Sequence, residues 1–408
     1  MPQPIPSPPA LRVVAIGGGT GLSTLLRGLK RYVPAPAASR RTTDIPAKAR
    51  PERRPETTPP VHPCIIRDLA AVVTVTDDGG SSGRLREDLK MLPPGDVRNC
   101  MVALSEDEHL LAKLFQYRFE QGDLEGHSFG NLFVAALSHI TGDFAQAVQM
   151  SSQILATRGR IYPATNVDVT LSASMDDGST VHGETNITAS PHRIIELHLS
   201  PADAQPLPGT LEAIANADLL TLGPGSLYTS LITNLLVRGI PEAIAASKAT
   251  RVYVGNLMTQ ANESLGLTAS QHIEKILQHC RNENHLDYHP ERSEESNTPN
   301  SCHSERSEEP PHLAFARHSG RSPESPYLPY PKLFDYALIN TAPISPTLLE
   351  KYASEGQSPI EPDLDRIRAL GVEPIPGNFV HEGNVLRHDH DRIADALLKL
   401  ALAHLSRS

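Results

Sequence analysis

LRVVAIGGGTGLSTLLR, from Leu11 to Arg27, decides how the rest of the chain reads. The apolar run Val13–Ile16 has the continuity of a strand buried on both faces, as strands of a parallel sheet are. Gly17, Gly18, Gly19, Thr20 and Gly21 follow without a spacer, and Leu22, Leu25, Leu26, Leu29 and Tyr32 then recur at helical spacing. A strand, a glycine turn and a helix together aim backbone N–H groups and a helix N-terminus at an anion. The missing side chains let a ligand approach the main chain closely. The same residues could form a tight turn and nothing more; the strand and helix on either side favour a nucleotide or phosphate site.

The pattern recurs. LAAVVTVT (Leu69–Thr76) reads as a second buried strand that delivers DDGGSSGRLREDL. There Asp77 and Asp78 have the chemistry for a divalent cation or a sugar hydroxyl. Gly79, Gly80, Ser81, Ser82 and Gly83 offer N–H and hydroxyl donors, and Arg84 and Arg86 could answer a phosphate. An Asp-Gly turn with an Asp cap is the plainer alternative. A third strand, Asp218–Leu222, runs into GPGSLYTSLITNLLV, where Gly223, Gly225 and Ser226 repeat the turn. Ligands of open α/β sheets sit outside the carboxyl ends of the strands, so these turns predict one shared cleft. Three polar segments accompany them: LPPGDVRN with Asp96 and Arg98, GHSFGNL with His127 and Asn131, and Gly255-Asn256 after the strand Arg251–Val254. His127 and Asn131 fit a ligand contact or a helix cap and core hydrogen bond equally well.

Elsewhere the chain reads as α/β with one small antiparallel feature. Val167–Ser174 and Thr180–Gly183 alternate apolar and polar residues around Asp176-Asp177-Gly178-Ser179, a hairpin whose acidic pair is structural. Ile194–Leu199, Phe334–Ile339 and Val372–Ile375 are further strands. HDHD (His388–Asp391) reads as a helix start capped by Asp389 or Asp391 in preference to a metal site. Residues 1–10 are Pro-rich. Val33–Pro63 is dense in Pro, Arg and Thr, and Arg281–Lys332 repeats HPERSEES as HSERSEEP. All three lack the apolar content to offset ordering entropy and are expected to be disordered, the latter two as insertions in a single α/β domain spanning 11–408.

Composition narrows the function. A net charge of -10 argues against a general nucleic-acid binder. The four cysteines are scattered without a Cys-x-x-Cys pair, which predicts neither a zinc site nor a disulfide framework. No apolar run approaches the about 20 residues of a membrane span, and MPQPIPSPPA lacks the regions of a signal peptide. A cytoplasmic protein is expected.

Seven segments in order, IGGGTGLSTLLRGL, AVVTVTDDGGSSGRLR, LPPGDVRNCMVALS, GHSFGNL, DLLTLGPGSLYTSLI, NLMTQANESLG and NVLRHD, resemble the YvcK/CofD-like family, and more closely its YvcK branch of gluconeogenesis factors. The resemblance implies a Rossmann-like, mostly parallel sheet flanked by helices. In the CofD branch it implies transfer of a phospholactyl group onto a deazaflavin alcohol. In the YvcK branch it implies a binding device for a nucleotide sugar of the UDP-N-acetylglucosamine type, tied to cell-wall synthesis and to cell shape during gluconeogenic growth. Carried over by motif, Gly17–Gly21 and Gly223–Ser226 would line the nucleotide. Asp77 and Asp78 match the acidic pair near the CofD reaction centre. Tyr352 and Arg387 match KY-x-x-EG and V-x-RHD segments expected to reach the nucleotide sugar. Regulatory protein partners and a homo-oligomer are expected. The sequence departs from the family at Ala261-Asn262, where a glycine-containing dipeptide is expected before the Glu, and at the two insertions.

Three functions compete. The first is a UDP-sugar-binding regulator without turnover. The second is a CofD-like 2-phospho-L-lactate transferase using Mg2+ held by Asp77 or Asp78. The third is an NAD-dependent oxidoreductase, disfavoured because GGGTG is not G-x-G-x-x-G. One expectation is testable on the chain alone: deleting Arg281–Lys332 leaves the melting temperature nearly unchanged, and a large loss contradicts the reading of that segment as uncored.

Overall fold

The computed structural model describes residues 10–34, 64–105, 111–261, 263–280 and 332–406. Its strands, in chain order, are β1 (Leu11–Gly17), β2 (Ile66–Val73), β3 (Arg160–Pro163), β4 (Thr170–Met175), β5 (Thr180–His182), β6 (Ile194–Ser200), β7 (Leu219–Leu222), β8 (Thr250–Val254), β9 (Tyr336–Asn340), β10 (Glu373–Gly377), β11 (Val380–Glu382) and β12 (Leu386–His388). Seven form one sheet in the order β10-β9-β8-β7-β1-β2-β3, with every neighbouring pair parallel. The chain winds outward from β1 to β3 on one side and from β7 to β10 on the other. The reversal between β1 and β7 is the topological switch point at which doubly wound sheets bind ligands.

Burial explains the central strands. Leu11, Val13–Ile16 and Leu69–Val73 are at most 2% exposed, and burying each Val, Leu or Ile contributes about 1.5–3 kcal/mol. The helix Gly19–Lys30 packs against the helices Gly95–Leu104 and His390–Leu405. At their amino ends, neighbouring strands are joined by arginine–aspartate forks. Arg12 donates its backbone N–H and Nε to Asp218 Oδ2 at 2.8 and 3.1 Å and its Nη2 to Oδ1 at 2.8 Å, joining β1 to β7. Arg251 repeats this geometry on Asp335 at 3.0, 3.1 and 3.0 Å, joining β8 to β9. Arg160 pairs with Asp68 between β3 and β2. The carboxyl ends are left to the loops.

The parallel sheet, its main strands and the hairpin match the sequence reading; several bounds and elements do not. β2 begins at Ile66 and ends at Val73, not Thr76. The Thr74 N–H makes a last bond to Gly17 O at 3.1 Å, and beyond it β1 has already turned into its helix. The second turn is shorter than expected, because Gly80–Leu89 is helical. The third unit enters its helix through a π-helical turn, Leu227–Ile232. The hairpin strands β4 and β5 are joined by β6 into a separate antiparallel sheet, β5-β4-β6. Asp389 caps the last helix, accepting from the N–H groups of Asp391 and Arg392. β3, the β11–β12 hairpin and the helix Glu184–Ala189 were not legible; they are three to six residues long and have no clear periodicity. The Pro-rich tail and both insertions lie, apart from their end residues, outside the described residues. Among the described residues no helix is long and apolar enough to cross a membrane.

Asp218→Ala is expected to lower stability by about 1–3 kcal/mol, the range for a charge-assisted, part-buried fork. Asp365→Ala removes an exposed pair with Arg368 and should cost under about 0.5 kcal/mol. Urea unfolding of the two variants checks the difference.

Candidate functional site

The first and third glycine turns meet at the switch point. A Cβ on Gly21 would lie 2.3 Å from the carbonyl oxygen of Pro224, so the two turns approach backbone to backbone. A Cβ on Gly18 would fall 2.5 Å from Thr74 Cγ2 and 2.8 Å from Asp96 Oδ2. Glycine is therefore needed here for chain packing, whatever else it admits. The Gly19 N–H donates to Asp96 Oδ2 at 2.7 Å, so the chain's own carboxylate fills one anion seat at the head of this helix. The next two amides, of Thr20 and Gly21, have no intrahelical acceptor, and Thr20 is exposed. Asn256 locks the third turn, accepting from Gly225 N–H at 3.3 Å and donating to Gly225 O at 2.8 Å. Ser226 Oγ accepts from Gln260 Nε2 at 2.9 Å. Gly223 is buried beneath this turn.

At the second turn the two aspartates part company. Asp77 Oδ1 accepts from Gly79 N–H at 3.0 Å. Asp78 Oδ1 instead accepts from the N–H and hydroxyl of Thr185 at 2.8 and 2.6 Å, fastening the helix Glu184–Ala189. They do not present a paired chelate. Among the described residues, the three-residue group with metal-type ligand atoms within 4.8 Å of one another is Asp176, Asp177 and His192, exposed at the β4–β5 turn. Ser81 and Ser82 are buried. Ser81 Oγ lies 3.1 Å from His127 Nδ1 and accepts from Asn131 Nδ2 at 3.1 Å. Burial, with Arg84 nearby, lowers the His127 pKa. Arg84 itself donates to Glu125 O at 2.7 Å, and Arg86 pairs with Asp168 at 2.7 Å. Both arginines clasp loops of the chain.

Two glutamates absent from the candidate residues complete the site. Thr76 Oγ1 donates to Glu184 Oε2 at 2.9 Å, and Thr229 Oγ1, in the π-helical turn, donates to Glu263 Oε1 at 2.9 Å. Burial pushes the Glu184 pKa well up, and the charges of Asp77, Asp96 and Glu263 add to it. Burial also raises Asp96 to about 6, against the Gly19 hydrogen bond, and Glu263 to about 7, against the Thr229 bond. Arg98 is the nearby cation; burial lowers its pKa, with Arg118 adding to the effect, and its Nε has no partner among the described residues. Asp77, Asp96 and Glu184 suit a hard cation such as Mg2+ in donor type, but no three of these carboxylates bring oxygens within 4.8 Å of one another.

Each turn is also backed by a side-chain amide with unused capacity. Asn234 Nδ2 donates to Gly17 O at 3.0 Å, Asn131 supports Ser81, and Gln260 supports Ser226. The carbonyl oxygens of all three amides lack partners among the described residues. On the far side, Tyr352 Oη accepts from Leu386 N–H at 2.9 Å. It packs with Ile344 and Leu386 against Leu257, Met258 and Val380. Arg387 is exposed on the same hairpin, and His388 Nε2 donates to Gly255 O at 3.0 Å. The KY-x-x-EG and V-x-RHD segments are thus brought together beside β8. Glu184 carried no signal in the sequence; Glu263 stood inside a recognised motif, with nothing to mark its burial.

A family profile described as 2-phospho-L-lactate transferase CofD matches residues 13–380. A gluconeogenesis factor of Halalkalibacterium halodurans is 40% identical over 389 residues, 95% of each chain. A gluconeogenesis factor of Bacillus subtilis is 37% identical over 391 residues, 95% of this chain and 98% of that one. A crystal structure of a Bacillus halodurans protein described as a member of the UPF0052 family is similar with a TM-score of 0.73 at 39% identity, covering 96% of this chain and 99% of that one.

The Glu263 carboxyl is raised from 4.5 to about 7, so its ionised form disfavours the fold, and stability should fall as pH rises through that window. Glu263→Gln removes this slope. It is expected to be more stable than the parent at pH 8, by up to about 3 kcal/mol, and to lose that advantage near pH 5. Thermal melts across pH 5–8 check it.

Proposed function

The chain belongs to the CofD family, and on that premise we propose that it binds a nucleotide sugar of the UDP-N-acetylglucosamine type at the switch-point cleft. It would act there as a cytoplasmic regulator of cell-wall synthesis and cell shape during gluconeogenic growth, without turnover. One observation supports the reading above others: the amides of buried Asn131 and half-buried Gln260, behind the second and third turns, keep carbonyl oxygens without partners among the described residues. Such acceptors suit a ligand rich in hydroxyl and N–H donors, as a sugar is. The diphosphate has donors at the head of the helix Gly80–Leu89 and at Ser226. Tyr352 and Arg387, on the far wall, would hold the remainder of the ligand.

The Asp96 carboxylate on the Gly19 N–H counts against an NAD-type pyrophosphate at the first turn, because a second anion there would meet like charge. The carboxylates of Asp77, Asp96 and Glu184 favour the transferase as the second reading, since a divalent cation drawn in with the substrate would relieve their mutual repulsion.

Calorimetry with UDP-N-acetylglucosamine, GDP and NAD, each with and without Mg2+, separates the readings. UDP-sugar binding is expected, weakened at least about tenfold, or 1.4 kcal/mol, in Arg387→Ala and in Tyr352→Ala. Mg2+-dependent GDP binding with no UDP-sugar binding would replace the regulator by the transferase.

A further inference from the structure

Outside the carboxyl ends of β8 and β9 lies a cavity of about 280 Å³, whose lining includes Tyr253, Asn256, His272, Thr341, Ile344 and Ile360. Two of its side chains are fully buried with hydrogen-bonding capacity unused. His272, on the helix Ala269–His279, is 0% exposed, and neither ring nitrogen has a hydrogen-bond partner among the described residues. Tyr253 is also 0% exposed; the backbone N–H of Asn256 lies beside its hydroxyl oxygen, and its O–H has no acceptor among the described residues. Buried polar groups are rarely left without partners in a folded chain, and each such case calls for an explanation.

The chemistry of the missing partner can be read from the walls. Among the described residues no charged side chain lines the cavity, so it suits neither a phosphate nor a metal ion. Asp363, the acid whose charge acts on His272, is engaged by Ser270 N–H and by the hydroxyls of Thr268 and Ser270. Burial lowers the His272 pKa to about 4, so its ring is neutral and offers one donor and one acceptor. The other lining amides are already committed: Asn256 to both backbone groups of Gly225, and Asn340 to Ala342 O and Phe379 N–H. Leu257, Ile339, Ile344, Leu349 and Ile360 supply apolar walls. Asn256 is shared: it lines the cavity and pins the third glycine turn, so cavity and cleft adjoin.

We propose that this cavity seats the nucleobase of the bound nucleotide, an uncharged nitrogen heterocycle presenting a donor beside an acceptor, and that His272 and Tyr253 read its edge. The inference rests on the nucleotide-sugar reading and assigns the end of the ligand that the glycine turns do not hold.

The test uses the full chain labelled with 15N-histidine, the His272 ring signals being assigned with His272→Gln. Spectra are recorded with UDP-N-acetylglucosamine, with uridine, adenosine and guanosine at millimolar concentration, and with N-acetylglucosamine 1-phosphate, which lacks a base. The His272 nitrogens are expected to shift with UDP-N-acetylglucosamine and uridine, and to stay in place with the sugar phosphate. In parallel, Tyr253→Phe should weaken UDP-N-acetylglucosamine binding at least fivefold. Ala342→Trp, which fills the cavity from its half-buried rim, should abolish that binding while the melting temperature holds. UDP-sugar binding that leaves His272 unmoved and survives Ala342→Trp overturns the assignment. If no UDP-sugar binds, the functional reading fails by itself, and the nucleoside spectra decide the cavity. A His272 shift with any nucleoside upholds the assignment, and no shift with any of them leaves a cavity that holds water only and overturns it.

Discussion

The carbonyl of Pro224 occupies the space a side chain would need at Gly21, and the site depends on that contact. It brings the turn after β1 against the turn after β7, the two strands between which the sheet reverses its winding. Any side chain at Gly21 would force the turns apart, and with them the helix heads and amides that converge there. Asn234 and Asn256 secure the arrangement from either side, one on Gly17 O and the other on Gly225. At the opposite edge of the sheet, the arginine–aspartate forks hold neighbouring strands in register. The forks brace the amino ends, and the glycine turns lie at the carboxyl ends.

The electrostatics of the cleft are unusual for a phosphate site. Glycine turns and helix N-termini favour an anion, yet Asp77, Asp96, Glu184 and Glu263 place carboxylates among them. Burial raises three of the four, Asp96 to about 6, Glu263 to about 7 and Glu184 well above its ordinary value, and neighbouring carboxylates add to the rise at Asp96 and Glu184. The charge around the turns is therefore graded: Asp96 and Glu184 resist a further negative charge, whereas Gly80 and Ser226 have donors to offer. A ligand with a charged centre and neutral hydroxyl-bearing or heterocyclic ends fits such a gradient better than a bare phosphate would.

Much of the architecture was legible because the local signals agree. Val13–Ile16, Leu69–Val73 and Asp218–Leu222 are continuous apolar runs that end in glycine, and the order of the recognised motifs carried the family. What was not legible is tertiary. Asp78 looks like half of a chelating pair until Thr185, more than one hundred residues away in sequence, is found bonded to it. Asp96 stands beside a helix start, and only folding shows that it caps another helix, through Gly19. Asn256 reads as a ligand contact, and its clamp on Gly225 is visible only in the fold. The sequence extends β2 too far because Thr74–Thr76 are all β-branched and suit a strand, while the neighbour they would pair with has already turned away. His272 carried no signal, since a histidine on the face of an amphipathic helix looks like any other polar position.

The central claim is that one nucleotide sugar spans the switch-point cleft. A crystal structure of the protein with UDP-N-acetylglucosamine tests it most directly. The diphosphate is predicted within hydrogen-bond reach of the Gly80 and Ser226 turns, with Arg387 and Tyr352 contacting the same molecule. Density for the ligand at another surface, with these turns empty, would contradict the account.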